Sequence, residues 1–256
     1  MNEPHHRVAL LAAVLLALPA LAAIPSSSKV AEAVADANQI SGRGGALLLD
    51  VELHIGDGPA VATGVLATHP TGLARLELKS RGFVERHLLQ SAEYKASRDG
   101  TLLEDPHPFL PPVFLLQASS PEALAAALRS YGVVDHDVVL GRIGDRDCYV
   151  FGGRLTGSPP GEETLLPSFW VDVADYEPVR IVRNDGVEYR LGPPTLFDHI
   201  RVPTWVEILE PSGLRARLVV TRVAPANAPA ASFQMDWLTA PTATADGAGP
   251  APPAAP

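Results

Sequence analysis

The sequence predicts a mainly β domain with a few helices, and three observations carry that reading. From Ala46 onward, apolar residues recur with a period of two. Gly, Pro, Asn and Asp punctuate the chain at short intervals. Only two stretches keep the one-turn spacing of a helix. Alternation with turn residues between short runs is the pattern of an antiparallel meander with one buried face.

The elements follow in order. Ser26-Ser27-Ser28 can cap a helix from about Lys29 to Asn38, with Val30, Val34, Ala37 and Ile40 as its apolar stripe, and Gly42-Arg43-Gly44-Gly45 ends it. Leu47, Leu49, Val51 and Leu53 then alternate with Leu48, Asp50, Glu52 and His54. After the turn at Gly56-Asp57-Gly58-Pro59, Val61, Thr63, Val65 and Ala67 begin a second alternation. Leu76 and Leu78 continue it beyond Thr71-Gly72. Phe83 to Leu89, Ala92 to Ser97 and Thr101 to Glu104 follow, with Asp99-Gly100 as a hairpin signal.

The proline-rich run from Asp105 to Pro112 interrupts the series, because proline removes main-chain donors. The apolar block Val113-Phe114-Leu115-Leu116 follows. Ser119-Ser120-Pro121-Glu122 then opens a helix with a capping box from Ser119 to Glu122. Its stripe is Leu124, Leu128 and Tyr131, and Gly132 is its C-cap. Strands resume at Val133 to Leu140, Asp147 to Leu155, Ser168 to Val173, Val179 to Asn184 and Val187 to Leu191, with Asn184-Asp185-Gly186 as a turn. Val202 to Leu209 and Leu214 to Ala224 form a hairpin around Pro211-Ser212-Gly213, and Ser232 to Trp237 gives a last short strand.

The termini read differently. A polar start ending in Arg7, an apolar run from Val8 to Leu18, Pro19 and Ala20-Leu21-Ala22 follow the secretory pattern. That apolar run is shorter than the roughly 20 residues a spanning helix needs. The expectation is a signal peptide over residues 1–23, cleaved after Ala22 or Ala23, a domain over 24–238, and a disordered Ala/Pro-rich tail over 239–256.

The formal net charge of -9 disfavours nucleic acid and anionic lipid surfaces as main partners. The lone Cys148 cannot form an internal disulfide and reads as a small buried strand residue. The sequence holds no G-x-S-x-G, H-E-x-x-H, Walker A, C-x-x-C or G-x-G-x-x-G motif, so no catalytic residue and no cofactor are expected. Asp135-His136-Asp137, read as a strand, would point its histidine away from both carboxylates, so no metal site is expected there. His69, His87, His107 and His199 are scattered, and Glu162-Glu163 reads as loop charge.

Two stretches resemble the LolA/LolB-like family of lipoprotein-sorting proteins. One is Thr63-Gly64-Val65-Leu66-Ala67-Thr68-His69-Pro70-Thr71-Gly72-Leu73-Ala74-Arg75-Leu76. It is similar to an early strand pair in which a G-x-L strand runs into a basic residue, a proline and a further strand. The other is Phe169-Trp170-Val171-Asp172-Val173, then Pro178-Val179-Arg180, Asp185-Gly186, Val202-Pro203-Thr204 and a closing hairpin with Phe233. The resemblance implies a curved antiparallel sheet, an unclosed barrel, with helices over its concave face. It also implies a non-enzymatic periplasmic carrier that holds lipoprotein or lipid acyl chains and moves them towards the outer membrane. Its partners would be an inner-membrane transporter and an outer-membrane acceptor.

The candidate cavity is Leu47, Leu49, Val51, Leu53, Val65, Leu76 and Leu78 from the sheet, with Val113, Leu116, Leu124 and Leu128 from the cover. The family places an arginine before the proline, where it helps hold the lid. Here His69 stands there and becomes the gate candidate. The same fold could serve a regulatory or scaffold module that binds a protein partner.

Overall fold

The computed structural model describes residues 24–90, 93–118, 120–153 and 166–241. The expected signal peptide, Ser119, Glu162-Glu163 and most of the tail lie outside the described residues. A 14-residue helix α1 (Ser27–Ile40) precedes six strands: β1 (Leu47–Ile55), β2 (Ala60–Thr68), β3 (Ala74–Lys79), β4 (Val84–Gln90), β5 (Glu93–Arg98) and β6 (Thr101–Leu102). A 3-10 turn (Val113–Leu115) and helix α2 (Pro121–Ser130) interrupt the strands. β7 (Val138–Ile143), β8 (Arg146–Gly152), β9 (Ser168–Asp172), β10 (Pro178–Val182) and β11 (Glu188–Leu191) follow. Next come β12 (Pro194–Phe197), β13 (Ile200–Pro203), β14 (Trp205–Leu209) and β15 (Arg215–Pro225). A one-turn helix α3 (Asp236–Thr239) is last.

Thirteen strands form one sheet in the order β6-β5-β4-β3-β2-β1-β15-β14-β11-β10-β9-β8-β7, and every pairing in it is antiparallel. The fold is therefore mainly β, and its edge strands β6 and β7 do not pair with each other, so the barrel stays open. The pair β12-β13 forms a separate two-stranded flap. Most neighbours in the sheet are also neighbours in sequence, so short hairpins join them, and the pairings β1-β15 and β11-β14 are the exceptions. Asp99 and Gly100 both have positive φ (50° and 82°), the conformation a two-residue hairpin turn requires.

Inner residues of the sheet, α1, α2 and the segment between β6 and α2 share one apolar core. Leu47, Leu49, Val51 and Leu53 all point into it, as alternation predicts. The second alternation is out of phase with the expectation. β1 pairs with β2 so that Leu49 faces Leu66 and Asp50 faces Val65. Residues directly opposite in an antiparallel pair share a face, so Leu66 turns inward and Val65 outward. Val65 is 42% exposed and Leu66 2%. At Gly64 the two strands β2 and β3 approach so closely that a methyl group there would meet the Glu77 carbonyl oxygen at 2.1 Å. Because that neighbour is main chain, Gly64→Ala is expected to cost about 3 kcal/mol or more in a urea unfolding experiment. A loss below 1 kcal/mol would show that the strands can part there.

Five other expectations are corrected. The stripe of α1 is Val30, Ala31, Val34, Ala35 and Asn38, with Asn38 Nδ2 donating to the Val34 carbonyl, while Ile40 is exposed. The helix α2 is capped by Ser120, whose hydroxyl accepts from the Ala123 amide at 3.2 Å. Residues 133–137 are loop, and β7 starts only at Val138. The run from Val202 to Leu209 is two strands, since Pro203 cannot donate to a ladder and the chain changes sheets there. Ser232 to Trp237 is no strand either. It contains the end of a 3-10 turn and the start of α3.

Candidate functional site

Among the described residues the inner face is largely filled by the chain's own side chains, and two of the clefts at its borders are largely apolar. The first, about 370 Å³, opens where the hairpin ends of β1-β2 and β3-β4 meet the segment from Leu103 to Pro112. Leu53, Val61, Ala62, Leu78, Phe83 and Phe109 line it, with Ile55 and Leu214. Ile55, Val61 and Phe83, each more than a third exposed, contribute apolar groups to its lips, and Ser80, Glu85, Arg98 and His107 complete the lining. The second, also about 370 Å³, lies between α2 and the β2-β3 turn Pro70-Thr71-Gly72. Leu89, Val113, Phe114, Leu124 and Tyr131 line it. Both volumes fall in the lower range of small-molecule pockets, about 300–1,000 Å³.

The candidate residues divide accordingly. Leu53 and Leu78 line the first cleft, and Val113 and Leu124 the second. Leu47, Leu49, Val51, Leu76, Leu116 and Leu128 sit in the packed core between helices and sheet. Val65 lies on the opposite face and joins neither. His69 Nδ1 contacts the Thr71 hydroxyl at 2.7 Å and accepts from the Thr71 amide at 3.3 Å, which ties the ring to its own turn. Its ring also meets Phe233 edge-on at 6.0 Å, on the outer side of the sheet.

The 103–112 segment crosses the first cleft as a strap and is pinned at several points. The Tyr94 hydroxyl donates to the His107 carbonyl at 2.5 Å, and the Tyr189 hydroxyl to the Pro108 carbonyl at 2.9 Å. His107 Nδ1 lies 2.9 Å from Glu210 Oε1 in the β14-β15 turn. Phe109 packs edge-on against His87 at 5.7 Å and tilted on His107 at 5.4 Å. Prolines at 106, 108, 111 and 112 hold this strap extended, because fixed φ and absent donors leave it no helix or strand to join.

A polar group underlies the strap. His87 Nε2 lies 3.1 Å from Glu85 Oε1, and His87 Nδ1 lies 2.7 Å from the Tyr94 hydroxyl. Arg98 donates to Glu85 Oε2 through Nε at 3.2 Å and Nη2 at 2.9 Å, and its guanidinium covers the Phe83 ring at 4.4 Å. These residues escaped the sequence reading. The available signal was Glu85 and His87 two apart on one strand, which places both on the same face.

Burial pushes the Glu85 carboxyl up, but its contacts with His87 and Arg98 together leave it below the usual carboxylate range. Burial is the main cause that holds His87 below its ordinary value, and Glu85 opposes it. Burial likewise raises the Tyr94 hydroxyl well above 10 and the Cys148 thiol to about 11, so neither ionises near neutrality. Both Glu85 and His87 therefore bind protons less readily folded than unfolded. Their contribution to stability is present above the ordinary values of 4.5 and 6.5 and is lost as pH falls through and below them. The urea midpoint is expected to fall as pH drops from 7 to 4, and to fall more steeply in Glu85→Gln, because His87 then loses the carboxylate that opposes the effect of burial. A midpoint that stays level over this range would contradict the assignment.

Among the described residues, no three His, Cys, Asp or Glu side chains come together as metal ligands. Asp135 instead pairs with Arg129, and His136 Nε2 lies 3.4 Å from Asp137. No helix among the described residues is long and apolar enough to cross a membrane.

No protein-family model matches the chain, and no curated protein matches it in sequence. Solved structures do match. A LolA superfamily protein from Nitrosomonas europaea aligns at 13% identity with a TM-score of 0.49, over 84% of this chain and 100% of its own. A Vibrio parahaemolyticus domain described as an outer membrane lipoprotein-sorting protein aligns at 10% identity and 0.49, over 84% and 100%. A DUF1329 family protein from Desulfovibrio piger aligns at 11% identity and 0.49, over 83% and 97%.

Proposed function

We propose that this protein is a non-enzymatic periplasmic carrier. It shelters an acyl chain of a lipoprotein or lipid beneath the 103–112 strap and moves it towards the outer membrane. The observation that supports this reading is the first cleft, a largely apolar space with Glu85, Arg98 and His107 at its polar end, where the hairpin ends meet a strap that is not part of the sheet. Each methylene removed from water contributes about 0.8 kcal/mol, so one ordinary acyl chain gains on the order of 10 kcal/mol on full burial. A space of about 370 Å³ accepts part of such a chain, and displacement of Phe109 from the core would extend it. Leu53 and Leu78 line that space beside Phe109. The export signal over residues 1–23, an inner-membrane donor and an outer-membrane acceptor complete the proposal.

The test is mass spectrometry of organic extracts from the protein expressed in the periplasm. The expected result is acyl-bearing species in near-stoichiometric amount. Folded protein that yields none, and takes up no acyl probe, would sink the carrier reading. One observation favours a second reading: the inner face is already well packed, as in a module that binds protein through its surface. That reading predicts crosslinks to a protein partner and little lipid uptake.

A further inference from the structure

After the main-chain bond of the Ala226 amide to the Ala46 carbonyl at 2.8 Å, the chain crosses the outer face of β2 to β5. It does so without joining the sheet as a strand. Its main chain is held instead by side chains. Arg75 Nη1 donates to the Ser232 carbonyl at 2.7 Å and Gln90 Nε2 to the Phe233 carbonyl at 2.5 Å. Arg86 Nη1 donates to the Trp237 and Ala240 carbonyls at 3.0 and 2.6 Å, and the Ser97 hydroxyl to the Leu238 carbonyl at 2.6 Å. Phe233 and Leu238 are fully buried against Ala67 and Leu88, and the Trp237 ring lies 5.2 and 5.5 Å from the Arg75 and Arg86 guanidiniums.

This is the construction of a peptide-binding groove: donors that read main-chain carbonyls, and two apolar anchors five residues apart. The occupant is linked to β15 through Asn227-Ala228-Pro229, of which Ala228 packs against the edge of the same cluster and Pro229 is extended (φ -64°, ψ 152°). Every contact made within one chain is available, unchanged, to the same segment of another. Exchange of such an element costs only rearrangement of the hinge.

We propose that this groove also accepts the 230–240 segment of a second copy, so that two molecules pair by exchanging C-terminal segments through their outer faces. The inner clefts stay free in such a pair, and the inference stands independently of the carrier reading.

The hinge gives the test. Three extended residues span about 10 Å. Deleting residues 227–229 removes that reach, so the segment cannot seat on its own groove in the same register and must take a neighbour's. In sedimentation velocity, the full-length protein is expected to show a dimer fraction that rises with concentration. The hinge-deleted chain is expected to be a dimer at every concentration, and Leu238→Asp in that chain is expected to return it to monomer. A hinge-deleted chain that sediments as a monomer overturns the proposal, as does any association that persists with Leu238→Asp.

Discussion

Phe109→Ala is expected to weaken the fold and, at the same time, to increase uptake of an acyl probe. The Phe109 side chain belongs to the core, with 7% of the residue exposed, yet it also forms a wall of the first cleft. Large-to-small changes of a buried phenylalanine cost about 3–5 kcal/mol, and the lower end applies where one side of the ring already faces space. For a domain of this size that corresponds to a melting point lower by roughly 6–12 °C. The space released joins the cleft. A ligand that binds only the folded form at 100 times its dissociation constant restores about 2.7 kcal/mol. Differential scanning calorimetry with and without a long-chain acyl probe should therefore show a large loss and a large recovery in the variant. A loss with no recovery would mean that the cleft is not where the chain enters.

The second large effect concerns Arg43 and Glu177. Arg43 Nη2 meets Glu177 Oε2 at 2.7 Å, and the side chains are 0% and 6% exposed. Arg43 Nε and Nη1 have no hydrogen-bond partner within the described structure. Burial pushes this guanidinium below its ordinary value, and Glu177 is what mainly opposes that shift. Glu177→Ala should cost about 3–5 kcal/mol, because it leaves a buried charge uncompensated. The double variant Arg43→Met/Glu177→Leu should recover most of that loss, because it removes both desolvation costs together. Urea unfolding of the single and double variants measures both. A single variant within 1 kcal/mol of the parent would show that water reaches the pair. The position matters to the cover, since Gln117 Nε2 donates to the carbonyls of Arg43 and Gly45 and so joins the loop between α1 and β1 to the segment that precedes α2.

Much of the architecture was legible in the residues themselves. The Leu47-Leu49-Val51-Leu53 alternation, the Asp99-Gly100 turn and the Leu124-Leu128-Tyr131 stripe each declare a period or a turn within a few residues. β2 was not legible in this way. Ala60 to Thr68 offers apolar residues at both parities, and only pairing with β1 decides that Leu66 faces inward. The Ser232 to Trp237 run failed for a related reason. Its long-range hydrogen-bond partners are Arg75, Arg86 and Gln90, more than 130 residues earlier in the chain, and nothing local announces them.

The site followed the same division. That apolar residues of the first strands and of the 113–128 region would meet was readable from amphipathic patterning, because burial of one face is a local demand on composition. Which of them line a space and which merely pack was not readable. That depends on where the proline-rich strap comes to rest, and long-range contacts at Tyr94, Tyr189 and Glu210 set its position. The sequence by itself determined the class of fold, the turns and the apolar character of the covered face. The tertiary structure alone decided the face of Val65, the grouping of Glu85, His87 and Tyr94, and the survival of two clefts, because each arises from residues brought together only after the sheet has closed its register.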